Sequence, residues 1–151
     1  MARIRRRARP VLAAIVLGLV LGVCGTDAGG RDPGFAGHWT SSQWGEHYVL
    51  VEGSTVKIIY DHDDGRVLGD LDGAKLVGWW TESPSRKPSR DAGEVTFTLT
   101  TTGSAPSVNG EWRYGTDGAM RENWDLTWVG SEIPAEIAAK FNDAALFTRH
   151  P

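Results

Sequence analysis

Three sets of residues in this chain have the types and spacing to do chemistry. Asp61-His62-Asp63-Asp64-Gly65 gathers three carboxylates and an imidazole in one short turn, and Asp70 and Asp72 follow in the next. Such a set could donate oxygens to a cation. A calcium loop with glycine sixth would place Tyr60 and His62 at the first and third ligand positions, where carboxylates are needed, so that frame fails. Acidic hairpin turns are common without an ion, and no metal or other cofactor is expected. His38, His47, His62 and His150 show no H-x-x-x-H or H-E-x-x-H spacing and read as isolated surface residues. Glu82 and Glu111 lie near tryptophans and could act as an acid/base pair in a sugar cleft, but Glu111 has the strand parity of an outer face. No nucleophile elbow, Cys/His pair or phosphate-cradling glycine loop is present as a motif. A non-catalytic protein is expected, with a small extracytoplasmic enzyme as the lesser alternative.

The third set is aromatic. Seven tryptophans fall between Trp39 and Trp128. Trp39, Trp80, Trp112, Trp124 and Trp128 fall on apolar strand faces, where they could line a pocket for a flat or amphipathic ligand. They could equally fill a core, since burying one Trp removes about 150 to 250 Å² from water and a small domain without disulfides needs such residues. Trp79 has the opposite parity to Trp80, which places it outside, under the C-terminal helix or on a contact surface.

The elements that must hold these side chains are strands. From Gly34 onward, β-branched and aromatic segments recur every 8 to 12 residues or so, between Gly, Asp, Ser and Pro. The pattern predicts about eight strands: 37–43, 46–52, 55–61, 66–71, 75–82, 94–101, 107–114 and 122–129. Asp64-Gly65 and Asp72-Gly73 read as tight turns whose glycine takes φ > 0, so the strands they join should be antiparallel hairpins. Segment 83–93, with Pro84, Pro88 and three basic residues, reads as a solvated loop outside the sheet. Val67-x-Gly69-x-Leu71, Leu76-x-Gly78-x-Trp80 and Val108-x-Gly110-x-Trp112 each place a glycine between two large apolar residues on one strand face. The gap admits strand curvature or a neighbouring ring, and both help a sheet coil into a barrel. The same parity puts Leu50, Val95, Phe97, Leu99 and Leu126 on apolar faces. After Val129, residues 134–146 have helical spacing at Ile137, Phe141 and Ala144, with Ser131 as cap and Pro134 in the first turn. The fold class expected is all-β: an antiparallel up-and-down meander closed into a small barrel, with one short C-terminal helix.

Gly37-His38-Trp39-Thr40-Ser41, the G-x-[WY] strand frames and Trp124-Asp125-Leu126-Thr127-Trp128 together resemble the small secreted barrels of the calycin group, avidins and lipocalins. The resemblance is one of pattern over residues 34–129. It implies a ligand pocket in which Ser41 stands at the avidin Asn position, Tyr60 at the Tyr, and Trp80 and Trp112 at wall positions. Glu46 and His62 stand where that family carries hydroxyl groups, a departure from the biotin-binding set.

Charge and the N-terminal segment bound the setting. The chain has 151 residues, and Arg3, Arg5, Arg6, Arg7 and Arg9 leave 11 basic against 19 acidic groups from residue 25 onward, a net of −8. A body of that sign repels phosphate backbones, so nucleic acid is not an expected partner. The basic start and the apolar run from Val11 to Cys24 predict a signal peptide over residues 1–24. Fourteen residues rise only about 21 Å as a helix, too short for a permanent span. Leu21-Gly22-Val23-Cys24, followed by a small, polar tether to residue 33, resembles a lipobox, with Val23 where a smaller residue is usual. Two fates stay open: a lipid anchor at Cys24, the sole expected membrane contact, or simple release. The domain of residues 34–151 should then be an exported binding protein for a small amphipathic or hydrophobic molecule. The alternative is an interaction module with a filled core, docking an extracytoplasmic protein on Trp79, the basic loop or the helix.

Overall fold

The computed structural model describes residues 34–150. The expected leader, the tether and Cys24 lie outside the described residues. Among the described residues, nine strands form one antiparallel sheet: β1 (Gly37–Ser41), β2 (Gly45–Glu52), β3 (Thr55–Tyr60), β4 (Gly65–Asp72), β5 (Lys75–Thr81), β6 (Ala92–Thr100), β7 (Ser107–Trp112), β8 (Arg121–Glu122) and β9 (Leu126–Gly130). Each strand from β1 to β7 pairs with the next, β7 pairs with β9, and β9 returns to β1. The result is a closed eight-stranded up-and-down barrel, with β8 a two-residue addition to the edge of β7. Closure leaves no long open edge.

The apolar faces turn inward as the alternation requires. Val56, Ile58 and Tyr60 of β3, Val67 of β4, Leu76 and Trp80 of β5, Val95 and Phe97 of β6 and Val108 of β7 are all buried in one cluster. The glycine frames make this packing tight. Gly69 and Gly78 face each other across β4 and β5, and a Cβ on Gly69 would stand 2.5 Å from the Val77 carbonyl oxygen. A Cβ on Gly110 would strike the Trp124 carbonyl oxygen and the Phe97 ring.

Several expectations are corrected. Leu50 faces outward, because the register of β2 with β3 sets Val49 opposite Ile58 and turns His47 and Val49 to the interior. Gly65 is not the left-handed turn residue: it is extended (φ −72°) and opens β4, while Asp63 and Asp64 take φ of 43° and 50°. Glycine is needed there because the Tyr60 ring lies against it. Ala92 and Gly93 belong to β6 rather than to the loop. The loop before them is tied down as well: Arg86 Nη2 donates to Asp64 Oδ2 at 2.6 Å, and Asp91 accepts from the Ser85 amide at 3.0 Å. The last strand begins at Leu126, not residue 122, because the edge of β7 changes partner from β9 to β8 and residues 123–125 leave the ladder.

The C-terminal helix is also shorter than its spacing predicts. Helix α1 (Ala135–Lys140) ends before Asn142, and Ala144–Leu146 forms a separate 3-10 turn whose Ala145 amide donates to the Asp143 side chain. Such a local side-chain bond competes with helix continuation. The Pro134 carbonyl, not the Ser131 side chain, accepts the first helical bonds. Phe141 and Phe147 cover Ile59, Leu50 and Leu68 on the barrel's side. Trp79 is covered by the tail that follows, where the His150 ring meets its indole edge to face at 4.7 Å.

Candidate functional site

In an up-and-down barrel every second connection emerges at the same end. Here the β1–β2 turn brings Trp44 to that mouth, the β3–β4 turn brings His62 and Asp63, and the β5–β6 loop brings Glu82, Arg90 and Asp91. The β7–β9 segment adds Tyr114 and Trp124; Trp112 ends β7 there, and Trp80 lies one residue before the end of β5. Together they line a cavity of about 160 Å³. Drug-sized ligands occupy pockets of about 300 Å³ or more, so this cavity takes a smaller molecule.

Below the mouth the barrel is filled. Trp124, 1% exposed, drops from residues 123–125 into the lumen, with its ring 5.1 Å from Tyr60, 5.4 Å from Phe97 and 5.0 Å from Trp44. Its indole N–H donates to His47 Nε2 at 2.9 Å, and His47 Nδ1 lies 2.9 Å from the Gly45 carbonyl oxygen. Both ring nitrogens are therefore satisfied only by the neutral tautomer protonated at Nδ1. His47 is fully buried, correcting its reading as a surface residue, and burial pushes its pKa down to about 4.

The seven residues singled out as lining residues separate into two groups. Trp80, Trp112 and Trp124 form walls of the mouth, and Tyr60 lies directly beneath, its hydroxyl donating to Glu82 Oε1 at 2.8 Å. Trp39 and Trp128 do not line the mouth: they pack edge to face at 4.9 Å, and the Trp39 N–H donates to the Phe35 carbonyl at 2.8 Å. Ser41 is buried outside the cavity, and its hydroxyl accepts from the Gln43 amide at 3.4 Å. Sequence reading missed Trp44 and Tyr114 as wall residues. The count of alternate connections, applied to the predicted meander, is the signal that could have found them.

Glu82 is the chemically distinctive member. It is 8% exposed, follows directly on β5, and is fixed by its own amide donating to the Asp91 carbonyl at 2.8 Å. Burial raises its pKa, against the lowering effects of the Tyr60 hydrogen bond and the nearby His62. Burial, with Glu82 close by, also raises the Tyr60 phenol well above its usual range. Glu111 is exposed on the outer face, so no acid/base pair with Glu82 forms. Ligand atoms of His62, Asp63 and Glu82 lie within 4.8 Å of one another. They would supply three donors toward a divalent ion, fewer than a closed site uses.

The indole geometry defines what the walls can offer. Trp112 stands at 85° to both Trp44 and Trp80, and at 78° to Tyr114. Every wall indole spends its N–H inside the protein: Trp44 on the Asn123 carbonyl at 3.2 Å, Trp80 on the Arg113 carbonyl at 3.0 Å, Trp112 on Asn123 Oδ1 at 2.8 Å, and Trp124 on His47. What remains toward the cavity is ring surface and carboxylate oxygen, with Arg90, His62 and the Tyr114 hydroxyl at its exposed rim. The closed antiparallel barrel is consistent with a calycin-like architecture. No protein-family model matches the chain, and no match was found among curated proteins or solved structures.

Proposed function

We propose that this protein is a non-catalytic, exported binding protein that holds a small amphipathic molecule at the aromatic mouth of its barrel. The observation that carries the reading is the convergence of four indoles and the largely buried Glu82 on one cavity, served by connections from separate hairpins. A filled core alone gives no reason to place Trp44 and Tyr114, both part-exposed or exposed, around a space of about 160 Å³. Export rests on the basic start and apolar run of residues 1–24. Feeding labelled palmitate to cells making the wild type or Cys24→Ser distinguishes an anchored protein on the outer face of the membrane from a secreted one.

The test of binding is intrinsic fluorescence. Small amphipathic ligands should quench or shift tryptophan emission saturably, and Trp112→Phe should weaken the response while the melting temperature changes little. A broad ligand panel that leaves the emission unchanged would favour the second reading, an interaction module with a filled barrel. The dense packing below Trp124 supports that alternative, whereas Trp79, at 2% exposure, offers a partner no surface until the C-terminal tail moves.

A further inference from the structure

We infer that the mouth selects a small organic cation, an ammonium group bearing a few carbons; this rests on the binding reading above and names its ligand class. An anionic or strongly hydrogen-accepting ligand needs donors, yet all four wall indoles have committed their N–H groups to Asn123, Arg113 and His47. The donors left at the cavity are Arg90, His62 and the Tyr114 hydroxyl, all on exposed residues at the rim. Acceptors dominate: Asp63, Glu82 and Asp91 line the same space against the one guanidinium of Arg90.

Ring faces complete the match. Indole faces carry negative electrostatic potential and attract ammonium groups, most strongly where water is excluded. Trp44 and Trp80, each perpendicular to Trp112, give walls of differing orientation, as a compact cation surrounded by rings requires. Two of the wall rings already meet a cation of the protein's own: the Arg121 guanidinium lies 4.9 Å from the Trp112 ring centroid and 5.0 Å from that of Tyr114. The volume sets the size. At about 160 Å³ the cavity falls below the roughly 300 Å³ of a drug-sized pocket. That suits a methylated ammonium and excludes an extended lipid chain.

Glu82 supplies the charge. One of its oxygens is held by the Tyr60 hydroxyl, which fixes the carboxylate against the cavity, and a bound ammonium would neutralise it where solvent cannot. The test titrates the full mature domain with tetramethylammonium and with 3,3-dimethylbutanol, a neutral molecule of similar bulk, following tryptophan emission and heat. Tetramethylammonium should bind saturably and at least about tenfold more tightly than the alcohol. Glu82→Gln, whose amide oxygen can still accept from Tyr60, should weaken it about tenfold with an unchanged melting temperature. Asp63→Asn, on the exposed turn, should weaken it less. Equal affinity for the neutral analogue overturns the cation inference and leaves the binding site standing. Binding of Zn²⁺ or Ca²⁺, lost in Glu82→Gln, with none of tetramethylammonium, overturns it in favour of a metal at His62, Asp63 and Glu82. Silence toward these probes and toward a broad ligand panel overturns both readings together.

Discussion

The Trp124 indole donates a 2.9 Å hydrogen bond to Nε2 of His47, at the centre of the barrel. Trp124 stands outside the regular strands and His47 is 77 residues away, so this bond ties the last part of the meander to the second strand. It also fixes His47 as neutral, since a protonated Nε2 could not accept.

A pH dependence of stability follows. The folded-state pKa of about 4 lies below the ordinary 6.5, so folding favours the neutral ring. The contribution is fully present above pH 6.5 and is lost as the pH falls toward 4, a change of at most about 3 kcal/mol. Urea unfolding between pH 7.5 and 4 should show that loss, and His47→Gln, which can accept from Trp124 without titrating, should show a shallower slope. Identical slopes would remove His47 as the cause.

Glu82 predicts a second pH effect, on binding. Its raised pKa means that it gains a proton at a higher pH than an ordinary carboxylate, and the neutral acid no longer attracts a cation. Affinity for tetramethylammonium should therefore fall as the pH is lowered through a range above the usual one for glutamate. His62, Asp63, Asp91 and Arg90 also line the cavity and Tyr60 bonds the carboxylate, so the measurement belongs in a His62→Gln background. A flat profile in that background would mean that Glu82 does not supply the charge.

Glycine replacements should sort by what a side chain would meet. Gly110→Val collides with Phe97 and the backbone at Trp124, and Gly69→Val with the β5 backbone, so each should destabilise by about 1 to 3 kcal/mol or more. Gly78→Val meets Leu68 and Val67 at 3.0 Å and should fall at the lower end. Gly130→Ala, with nothing within 4 Å, is the control and should melt as the wild type does.

The C-terminal segment should be worth measurable stability. Phe141 is 2% exposed and packs with Ile59 and Phe147, so Phe141→Ala should cost about 3 to 5 kcal/mol. A chain ending after Gly130 should bind a hydrophobic dye and shift its tryptophan emission to the red, because Ile59 and Trp79 lose their cover. Unchanged emission would mean that the tail does not protect Trp79.

The meander was legible because its signals are local. Asp72-Gly73 marks a hairpin turn with Gly73 at φ 59°, and the [VL]-x-G-x-[LW] frames place Gly69, Gly78 and Gly110 on the same strand faces as Trp80 and Trp112. The phase of β2 was not legible. Tyr48-Val49-Leu50-Val51 is apolar throughout, and a run without alternation has no preferred face until its partner strand supplies the register. That pairing, Val49 opposite Ile58, sent Leu50 outward and His47 into the core. Helix 134–146 was visible as spacing, but the Asp143 side chain, bonding its neighbour's backbone, divides it.

The sequence by itself determined an all-β, closed meander with tryptophans on its inner faces, because alternation and turn chemistry act between near neighbours. Only the tertiary structure decided which tryptophans fill and which surround a space. Trp124 becomes the plug because β7 exchanges β9 for β8 along its edge, and Trp44, Glu82 and Tyr114 become neighbours because closure brings alternate connections to one mouth. Both depend on pairings between residues far apart in the chain, which no local pattern encodes.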